Sequence, residues 1–343
     1  MARPTLKDVA AQSGYALRTV KKVMSGDPTV RDQTREAVMQ AAASLSYTPN
    51  RAASALGKQK QVNLAVVYSK PSEIYFSDLE RGFRRCAGEL FDYGLNLQYF
   101  TTREPGWEAQ RSILGGLLNR NDIDGVIVQP VSANKLDPSI DALVQRGKPV
   151  VTVGSDAPES LRMCFVGCDA VRSGRIAGQL MAAYMGRRGS IFIVSDQSDQ
   201  EQARKRADGL TARIQGSDPG IKFRVPTASE ASLPTSILIR HLVQSGQIDG
   251  IFCTSGNNTI ETAEILRELN AANITLAGFD LSPASAALMK DGWIDVLLDQ
   301  KPDVHAYEAA KLLFHHIADG ICSDSVYTLP IYLHTSECLP VSD

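Results

Sequence analysis

Several polar and aromatic side chains follow apolar stretches of the sequence, in positions where they could bind a small polar molecule. They are Tyr75, Phe76, Asp156, Arg206, Asn257, Asp280 and Gln300. Aromatic rings can stack on the face of a sugar, while carboxylate, amide and guanidinium groups can pair with its hydroxyls. Capping or turn formation explains any single one of them more simply, so the hypothesis depends on their joint placement. Arg162, in "APESLRMCFVG", is an additional candidate.

Apolar runs that could position these side chains recur throughout the second part of the chain. The predicted strands cover 62–68, 95–101, 125–130, 149–154, 190–195, 250–255, 275–280 and 294–299. The predicted helices cover 77–92, 108–119, 170–185, 202–214, 259–269 and 302–318. Alternating apolar strands and helices predict parallel α/β sheets that are covered on both faces.

The number of strands favours two similar lobes with a break near 155–170. In open parallel sheets, ligands bind beyond the carboxyl ends of the strands. The candidate residues follow predicted strands, so we expect them to lie in a cleft between the lobes.

The first sixty residues differ in charge from the rest of the chain. Residues 1–60 contain ten Lys or Arg and four Asp or Glu, whereas the remainder contains 26 basic and 34 acidic residues. A small basic segment on a larger acidic body suggests a polyanion-binding module. Chance variation in charge between small domains is the alternative.

The basic segment has the pattern of three short helices. Leu6, Val9 and Ala10 recur at helical spacing, with Thr5 as a plausible N-cap, and Gly14 interrupts the pattern. A second helix would bury Val20, Val23 and Met24 and expose Arg18, Lys21 and Lys22; a third is predicted at about 32–45. Two short helices joined by a glycine turn form a helix-turn-helix, whose second helix enters the DNA major groove. On spacing alone, a plain three-helix packing unit remains an alternative.

The segment "TLKDVAAQSGYALRTVKKVMSGDPTVRDQTREAVMQAAASLSYTPNRAASALGK" resembles the amino-terminal domain of the lactose/galactose repressor family. The residues that match the family pattern are Thr5, Leu6, Asp8, Val9, Ala10, Gly14, Thr19, Val20, Val23, Val30, Thr34, Arg35, Val38, Tyr47, Pro49, Asn50, Ala53 and Leu56. The resemblance implies a DNA-binding transcriptional regulator, and we predict a repressor that binds a palindromic operator as a homodimer or a tetramer.

The resemblance also implies which residues contact DNA. The predicted DNA-binding residues are Thr5, Leu6, Ala16, Leu17, Arg18, Thr19, Lys21, Lys22, Thr34, Tyr47, Asn50, Ala53 and Leu56. The family usually has serine at positions 16 and 21 and arginine at 22. Ala16 lacks the hydroxyl that would contact a phosphate, and Lys22 lacks arginine's two-pronged hydrogen bonding to guanine. We therefore expect a half-site that differs from the usual one.

The stretch "NRAASALGKQK" is too short to form a stable helix alone, since isolated helices need about 12–15 residues in water. In the family this segment is a hinge that becomes helical when two copies pair on the operator. By that resemblance, Leu56 enters the minor groove as a wedge. Packing of Leu56 on the third helix is the alternative.

The rest of the chain resembles the ribose-type periplasmic sugar-binding fold, most closely in "GFDLSPASAALMKDGWIDVLLDQKPDVHAYEAAKLL". In that branch the corresponding Asp and Gln hold sugar hydroxyls, which implies this role for Asp280 and Gln300. Tyr75, Phe76 and Arg206 match further binding positions. The usual Asn-Asp is replaced here by Ser255-Gly256, which leaves Asn257 as a stand-in. The implied ligand is a monosaccharide or a sugar derivative.

Three classes of function were compared. A solute-binding protein of a sugar transport system would need a signal peptide, and "MARPTLKDVA" lacks the apolar region of one. For an enzyme, the chain shows no P-loop, GxSxG, GxGxxG or HExxH motif. The six cysteines form no CxxC pair, so we expect buried thiols in a reducing compartment, with no metal site and no cofactor. No apolar run is long enough to span a membrane, and a cytoplasmic protein associated with the nucleoid through DNA is expected.

Together these observations predict three regions: a helix-turn-helix domain over 1–48, a hinge over 49–60, and a two-lobed sugar-binding and dimerisation domain over 61–343. The predicted fold is an all-α head joined to an α/β core of two parallel-sheet lobes of the periplasmic-binding-protein type I class.

Overall fold

The computed structural model describes residues 6–24, 30–45, 61–69, 73–102, 106–195 and 200–339. The chain divides between residues 60 and 61 into two compact units. We refer to them as the head and the body.

The described part of the head contains three helices: α1 (Leu6–Ser13), α2 (Leu17–Met24) and α3 (Asp32–Ser44). They enclose a small core of six buried side chains: Val9, Val20, Val23, Val38, Ala41 and Ala42. Gly14, with φ of +72°, turns the chain between α1 and α2. The three predicted helices are therefore confirmed, including their inward-facing valines.

The amino-terminal lobe of the body contains a six-stranded parallel sheet. Its strands are β1 (Val62–Ser69), β2 (Leu95–Thr102), β3 (Gly125–Val128), β4 (Val150–Val153), β5 (Cys164–Gly167) and β11 (Val326–Thr328), in the order β11-β5-β4-β3-β1-β2. The helices around it are α4 (Glu73–Leu90), α5 (Trp107–Leu117), α6 (Ala133–Gln145) and α12 (Pro302–Asp319). Alternate residues of β1 enter different cores, because Leu64 and Val66 face one layer and Ala65 and Val67 the other.

The carboxy-terminal lobe repeats this plan. Its strands are β6 (Gly189–Val194), β7 (Ile221–Arg224), β8 (Gly250–Cys253), β9 (Thr275–Phe279), β10 (Val296–Asp299) and β12 (Tyr332–His334), in the order β12-β10-β9-β8-β6-β7. Only β12 is antiparallel. The helices are α7 (Ala170–Tyr184), α8 (Gln200–Ser217), α9 (Thr235–Gln244), α10 (Gly256–Glu268) and α11 (Pro283–Lys290).

Within the described residues, the chain crosses between the lobes three times. It passes from β5 to α7, from β10 to α12, and from β11 to β12. The first two crossings leave their sheets at the carboxyl ends of strands. Cys168 and Gln300, which directly follow β5 and β10, approach to 3.7 Å between the Cys168 sulfur and the Gln300 carbonyl oxygen. The carboxyl edges of the two sheets therefore adjoin, as a cleft between the lobes requires.

The predicted two-lobed α/β fold is confirmed, and the first crossing falls within the predicted break at 155–170. Sequence periodicity missed several short or irregular elements: α6, α9, α11, β5, β7, β11 and β12. Five of the eight predicted strands extend one or two residues beyond the observed strand ends. The additional residues, polar after β3, β6, β8 and β9 and a glycine after β4, belong to the loops.

Candidate functional site

The carboxyl edge of the second sheet brings together three of the predicted ligand-binding residues. Asp280 directly follows β9 and Gln300 directly follows its neighbour β10, while Arg206 reaches them from α8. The helix α8 begins at Gln200, so Arg206 lies in its second turn rather than at its start. Asp280 has φ of +65°, a left-handed conformation that asparagine and aspartate adopt more readily than most residues.

Gln300 links Asp280 to Arg206. Its side-chain nitrogen donates to an oxygen of Asp280 over 2.9 Å, and its side-chain oxygen accepts from Arg206 over 2.6 Å. A second Arg206 nitrogen donates to the carbonyl of Thr254 over 2.5 Å, and the guanidinium lies 4.0 Å from the centre of the Phe279 ring. The three polar side chains are thus fixed before any ligand arrives.

The surroundings of Asp280 alter its acidity. Burial raises the pKa of the carboxyl to about 6, although the positive charge of Arg206 and the hydrogen bond from Gln300 act in the opposite direction. The backbone N–H of Gly256, at the start of α10, also favours the charged form. At neutral pH the group is a carboxylate that lacks full solvation, which makes it a strong acceptor for ligand hydroxyls.

Buried polar atoms around this cluster have no hydrogen-bond partner among the described residues. They are Nε of Arg206 and Oγ of Ser255. Ser255 occupies the N-cap position of α10, but its side chain does not cap the helix. Buried polar groups are nearly always paired, so a ligand that satisfies these atoms would recover the cost of burying them.

The carboxyl edge of the first sheet supplies a second, uncharged group of residues. The side-chain oxygen of Gln129, which follows β3, is buried without a described partner. Gly154 follows β4 with φ of +72°, and a Cβ at this position would clash with the hydroxyl of Tyr75. Tyr75, Gln129 and Gly154 therefore lie together at this edge. Neither Gln129 nor Ser255 was singled out as a binding residue from the sequence, because only the structure reveals their unpaired atoms.

Two of the predicted ligand-binding residues bind each other. The guanidinium of Arg162 forms a two-pronged ion pair with Asp156, with one nitrogen–oxygen distance of 2.8 Å. Asp156 also accepts from the hydroxyl of Thr152, and Arg162 donates to the carbonyl of Ser325 just before β11. This pair is saturated by protein groups and ties the loop after β4 to the sheet edge.

Phe76 and Asn257 differ from each other in burial. Phe76 is 5% exposed and stacks on Tyr68 with ring centres 5.5 Å apart, so its ring belongs to the core. Tyr75 meets Phe76 edge-on at 5.2 Å. Asn257, in the first turn of α10, is exposed.

The described DNA-binding candidates lie on or near α2. Ala16, Arg18, Lys21 and Lys22 are exposed, whereas Val20 and Val23 on the opposite face are buried. The partly exposed candidates are Leu6, Leu17, Thr19 and Thr34. The helix α2 thus presents a basic face, with Arg18 in its first turn and Lys21 and Lys22 in its last. Thr5, Tyr47, Asn50, Ala53 and Leu56 lie outside the described residues, as does the predicted hinge.

Neither a metal site nor a membrane-spanning helix is found among the described residues. They contain no group of three His, Cys, Asp or Glu side chains arranged to hold a metal ion. None of the described helices combines the length and the apolar character that crossing a bilayer requires.

Two family models match the chain. Residues 5–50 match the model of bacterial regulatory proteins of the lacI family, and residues 64–320 match a periplasmic binding protein domain. The HTH-type transcriptional regulator CelR of Thermobifida fusca is 32% identical over 291 residues, which cover 81% of this chain and 82% of CelR. The sucrose operon repressor of Pediococcus pentosaceus is 24% identical over 96% of this chain and 98% of its own.

Solved structures show the same fold. A putative LacI transcriptional regulator from Bacteroides fragilis superposes with a TM-score of 0.72 at 19% identity, covering 81% of this chain and 98% of its own. The glucose-galactose binding protein GanP from Geobacillus stearothermophilus has a TM-score of 0.71 at 22% identity and covers 82% and 100%.

Proposed function

Because the chain belongs to the lacI family of bacterial regulatory proteins, we propose that it is a repressor whose affinity for operator DNA responds to a sugar. The head would bind DNA, and the cleft of the body would bind the sugar. The observation that carries the sugar-binding proposal is the Asp280–Gln300–Arg206 cluster with its unpaired buried atoms.

The chemistry of the cluster favours a neutral, polyhydroxylated ligand. It contains one carboxylate and one guanidinium, whose charges compensate each other. Asp280 and Gln129 offer acceptors, Arg206 Nε offers a donor, and the Ser255 hydroxyl can do either. A monosaccharide carries several hydroxyls that both donate and accept, and so matches this mixture. The sugar-binding residues that we propose are Tyr75, Gln129, Arg206, Ser255, Asp280 and Gln300.

The exposed face of α2 supports the DNA-binding proposal. In a helix-turn-helix the second helix lies in the major groove with its amino-terminal end towards the bases. Arg18, Lys21 and Lys22 would then face base edges and phosphates, because Val20 and Val23 fix the opposite face in the core. One head reads one half-site, so we propose a homodimer on a near-palindromic operator.

We propose that the body supplies the dimer contact. Large apolar side chains are exposed near the edge strands β2 and β7: Phe91, Tyr99, Val225, Leu233 and Ile237. Contiguous exposed apolar patches commonly mark protein contacts, and these residues are candidates for one. Sedimentation at micromolar concentration tests this proposal, and a monomer both free and on DNA would contradict it.

The function is tested with a mobility-shift assay on DNA from upstream of the gene. The assay is run with and without sucrose, D-glucose, D-galactose and D-arabinose, and thermal unfolding is followed in parallel. A bound sugar should raise the unfolding temperature and change the fraction of shifted DNA. The variant Asp280→Asn should still shift DNA but should ignore the sugar. Asp291→Asn makes the same chemical change at an exposed position outside the cleft and should behave like the wild type.

A further inference from the structure

The thiol of Cys168 lies where the three connections between the lobes meet. Cys168 is itself on the first connection, directly after β5. Its sulfur lies 3.7 Å from the carbonyl oxygen of Gln300 on the second connection and 3.5 Å from that of Pro330 on the third. It also lies 3.4 Å from Nε2 of His305, in the first turn of α12. One side chain therefore contacts all three of the described connections between the lobes.

The contacts of this thiol are polar and uncharged. Burial raises the pKa of Cys168 to about 12 and lowers the pKa of His305 to about 4, so both groups are neutral at physiological pH. His305 is fully buried, and its Nδ1 has no partner among the described residues. If Nε2 carries the histidine proton, it points at the sulfur, and the single thiol proton is left for one of the two carbonyls.

The thiol can donate its single proton to only one of two carbonyl oxygens, those of Gln300 and Pro330, which lie on different connections. A rotation of the lobes would change the distances to Gln300 and Pro330 by different amounts, because these residues belong to different connections. The S–H group can therefore donate to one carbonyl in one arrangement and to the other in another. A charged group could not change partners at so small a cost in a buried position.

The second connection is under local strain, which makes it sensitive to its surroundings. Lys301 has φ of +55°, a left-handed conformation that is unfavourable for lysine. Its backbone N–H donates to Asp299 over 2.9 Å and its ammonium pairs with Asp299 at 2.7 Å. Strained residues persist only where neighbouring contacts hold them. Gln300, next to Lys301, carries both the contact to Cys168 and the contacts to Asp280 and Arg206.

We propose that Cys168 is a positioning residue, whose thiol contacts Gln300 and Pro330 at the junction of the connections and couples the sugar site to rotation of the lobes. The proposal rests on the proposed sugar site, because Gln300 belongs to that site. A ligand that contacts Gln300 would shift the balance between the two acceptors of the thiol, and the lobes would follow.

Hydrogen exchange of the full-length protein tests the junction without any ligand. In Cys168→Ala, the amides of Lys301 and Ile331 should exchange at least about tenfold faster than in the wild type, because both connections lose a shared contact. Cys253→Ala is the matched control. Cys253 is also buried, and its sulfur contacts Thr262 and Asn258 inside one lobe, so this change should leave Lys301 and Ile331 at the wild-type rate.

The variant Cys168→Ser keeps a hydroxyl donor and also covers the case in which the alanine variant fails to fold. The amides of Lys301 and Ile331 should exchange more slowly in Cys168→Ser than in Cys168→Ala. If only the serine variant folds, their exchange rates should remain within tenfold of the wild-type rates. Wild-type exchange in Cys168→Ala would overturn the proposal. Equal acceleration in the serine and alanine variants would also overturn it, since the thiol would then only fill space.

A second measurement follows the coupling itself. Operator affinity is measured with and without whichever of sucrose, D-glucose, D-galactose and D-arabinose stabilises the wild-type protein. The ratio of the two affinities should move towards one in Cys168→Ala and stay unchanged in Cys253→Ala. An unchanged ratio in Cys168→Ala would overturn the coupling. If no sugar changes the wild-type ratio, the proposed function fails, while the exchange experiment still decides the role of Cys168.

Discussion

The side chain of Gln300 holds the carboxylate of Asp280 at 2.9 Å, although the two residues follow different strands and lie twenty positions apart. The neighbouring strands β9 and β10 bring them together, and Arg206 completes the arrangement from α8. A cleft that is ordered before the ligand arrives binds more tightly, because less conformational freedom is lost on binding. It also carries a stability cost that can be measured.

The variant Asp280→Asn should be more stable than the wild type at pH 8, and this difference in stability should disappear at pH 4. Burial raises the pKa of Asp280 from 3.8 to about 6, so the folded state binds its proton more tightly than the unfolded chain. The wild type therefore loses stability as the pH rises from about 4 to about 6, by an upper limit of about 3 kcal/mol. Asparagine tolerates the φ of +65°, which alanine would not. Thermal unfolding at pH 4, 6 and 8 measures the effect, and an equal change at all three values would contradict it.

Gly154→Ala should destabilise the protein more than Gly147→Ala does. Both glycines have positive φ, +72° and +78°, so each alanine incurs a backbone cost of about 1–2 kcal/mol. Only at Gly154 does the new Cβ also clash, with the hydroxyl of Tyr75, since nothing lies within 4 Å at Gly147. Adding Tyr75→Phe to Gly154→Ala should recover part of the loss. Denaturant unfolding of the single and double variants measures it, and independent, additive effects would exclude this contact.

Gln129→Leu should weaken sugar binding while leaving the free protein at least as stable as the wild type. The Gln129 side-chain oxygen is buried without a described partner, so removing it costs no hydrogen bond to the described protein. Gln110→Leu provides the contrast. The Gln110 side chain bonds the carbonyl of Gln129 at 2.8 Å and the N–H of Val131 at 3.1 Å, and its loss should cost about 1–3 kcal/mol. Calorimetry of both variants separates the roles, and a destabilised Gln129→Leu would show that its oxygen is paired.

Lys21→Ser combined with Lys22→Arg should shift operator preference. Both lysines are exposed on α2, and arginine at 22 restores a two-pronged guanine reader. Each good base contact contributes about 1–3 kcal/mol of discrimination. Selection from randomised half-sites compares the variant with the wild type. Identical preferences would mean that these lysines contact only phosphates.

Leu56→Ala should weaken binding to the specific operator by a few kcal/mol, about what unstacking one base step costs, because the wedge that holds the kink is lost. Leu56 lies outside the described residues, so this expectation rests on the sequence resemblance. Binding to random DNA and its dependence on salt should change little, since no phosphate contact is removed. Titrations on both DNAs at several salt concentrations test this, and an equal loss on each would argue against a wedge.

The sequence predicted the fold well where periodicity was strong. The valines of the head and the long apolar strands of the body lie where they were expected. Short elements such as β11 and β12, with three residues each, carry too few residues for a pattern. They pair with strands far away in sequence, and such pairing depends on tertiary contacts rather than on local preference.

The candidate site was predicted in part. Asp280, Gln300 and Arg206 were identified and lie together. Asp156 and Arg162 were chosen by the same reasoning, but they satisfy each other. Only coordinates distinguish a polar group that is paired within the protein from one that is available to a ligand. Ser255 and Gln129 were missed for the same reason, because an unpaired atom leaves no trace in the sequence.

The three crossings also fix the order in which the body can be completed during synthesis. The first sheet needs β11 at its edge, and its core needs α12, whose Ala306, Leu313 and Phe314 pack on β1 and α4. These segments leave the ribosome only after nearly the whole second sheet has been made. A nascent chain can fold its head early, since domains fold as units from the amino terminus. We expect the first lobe to stay open until residue 328 has emerged, and its exposed β1 to be the surface that a chaperone covers.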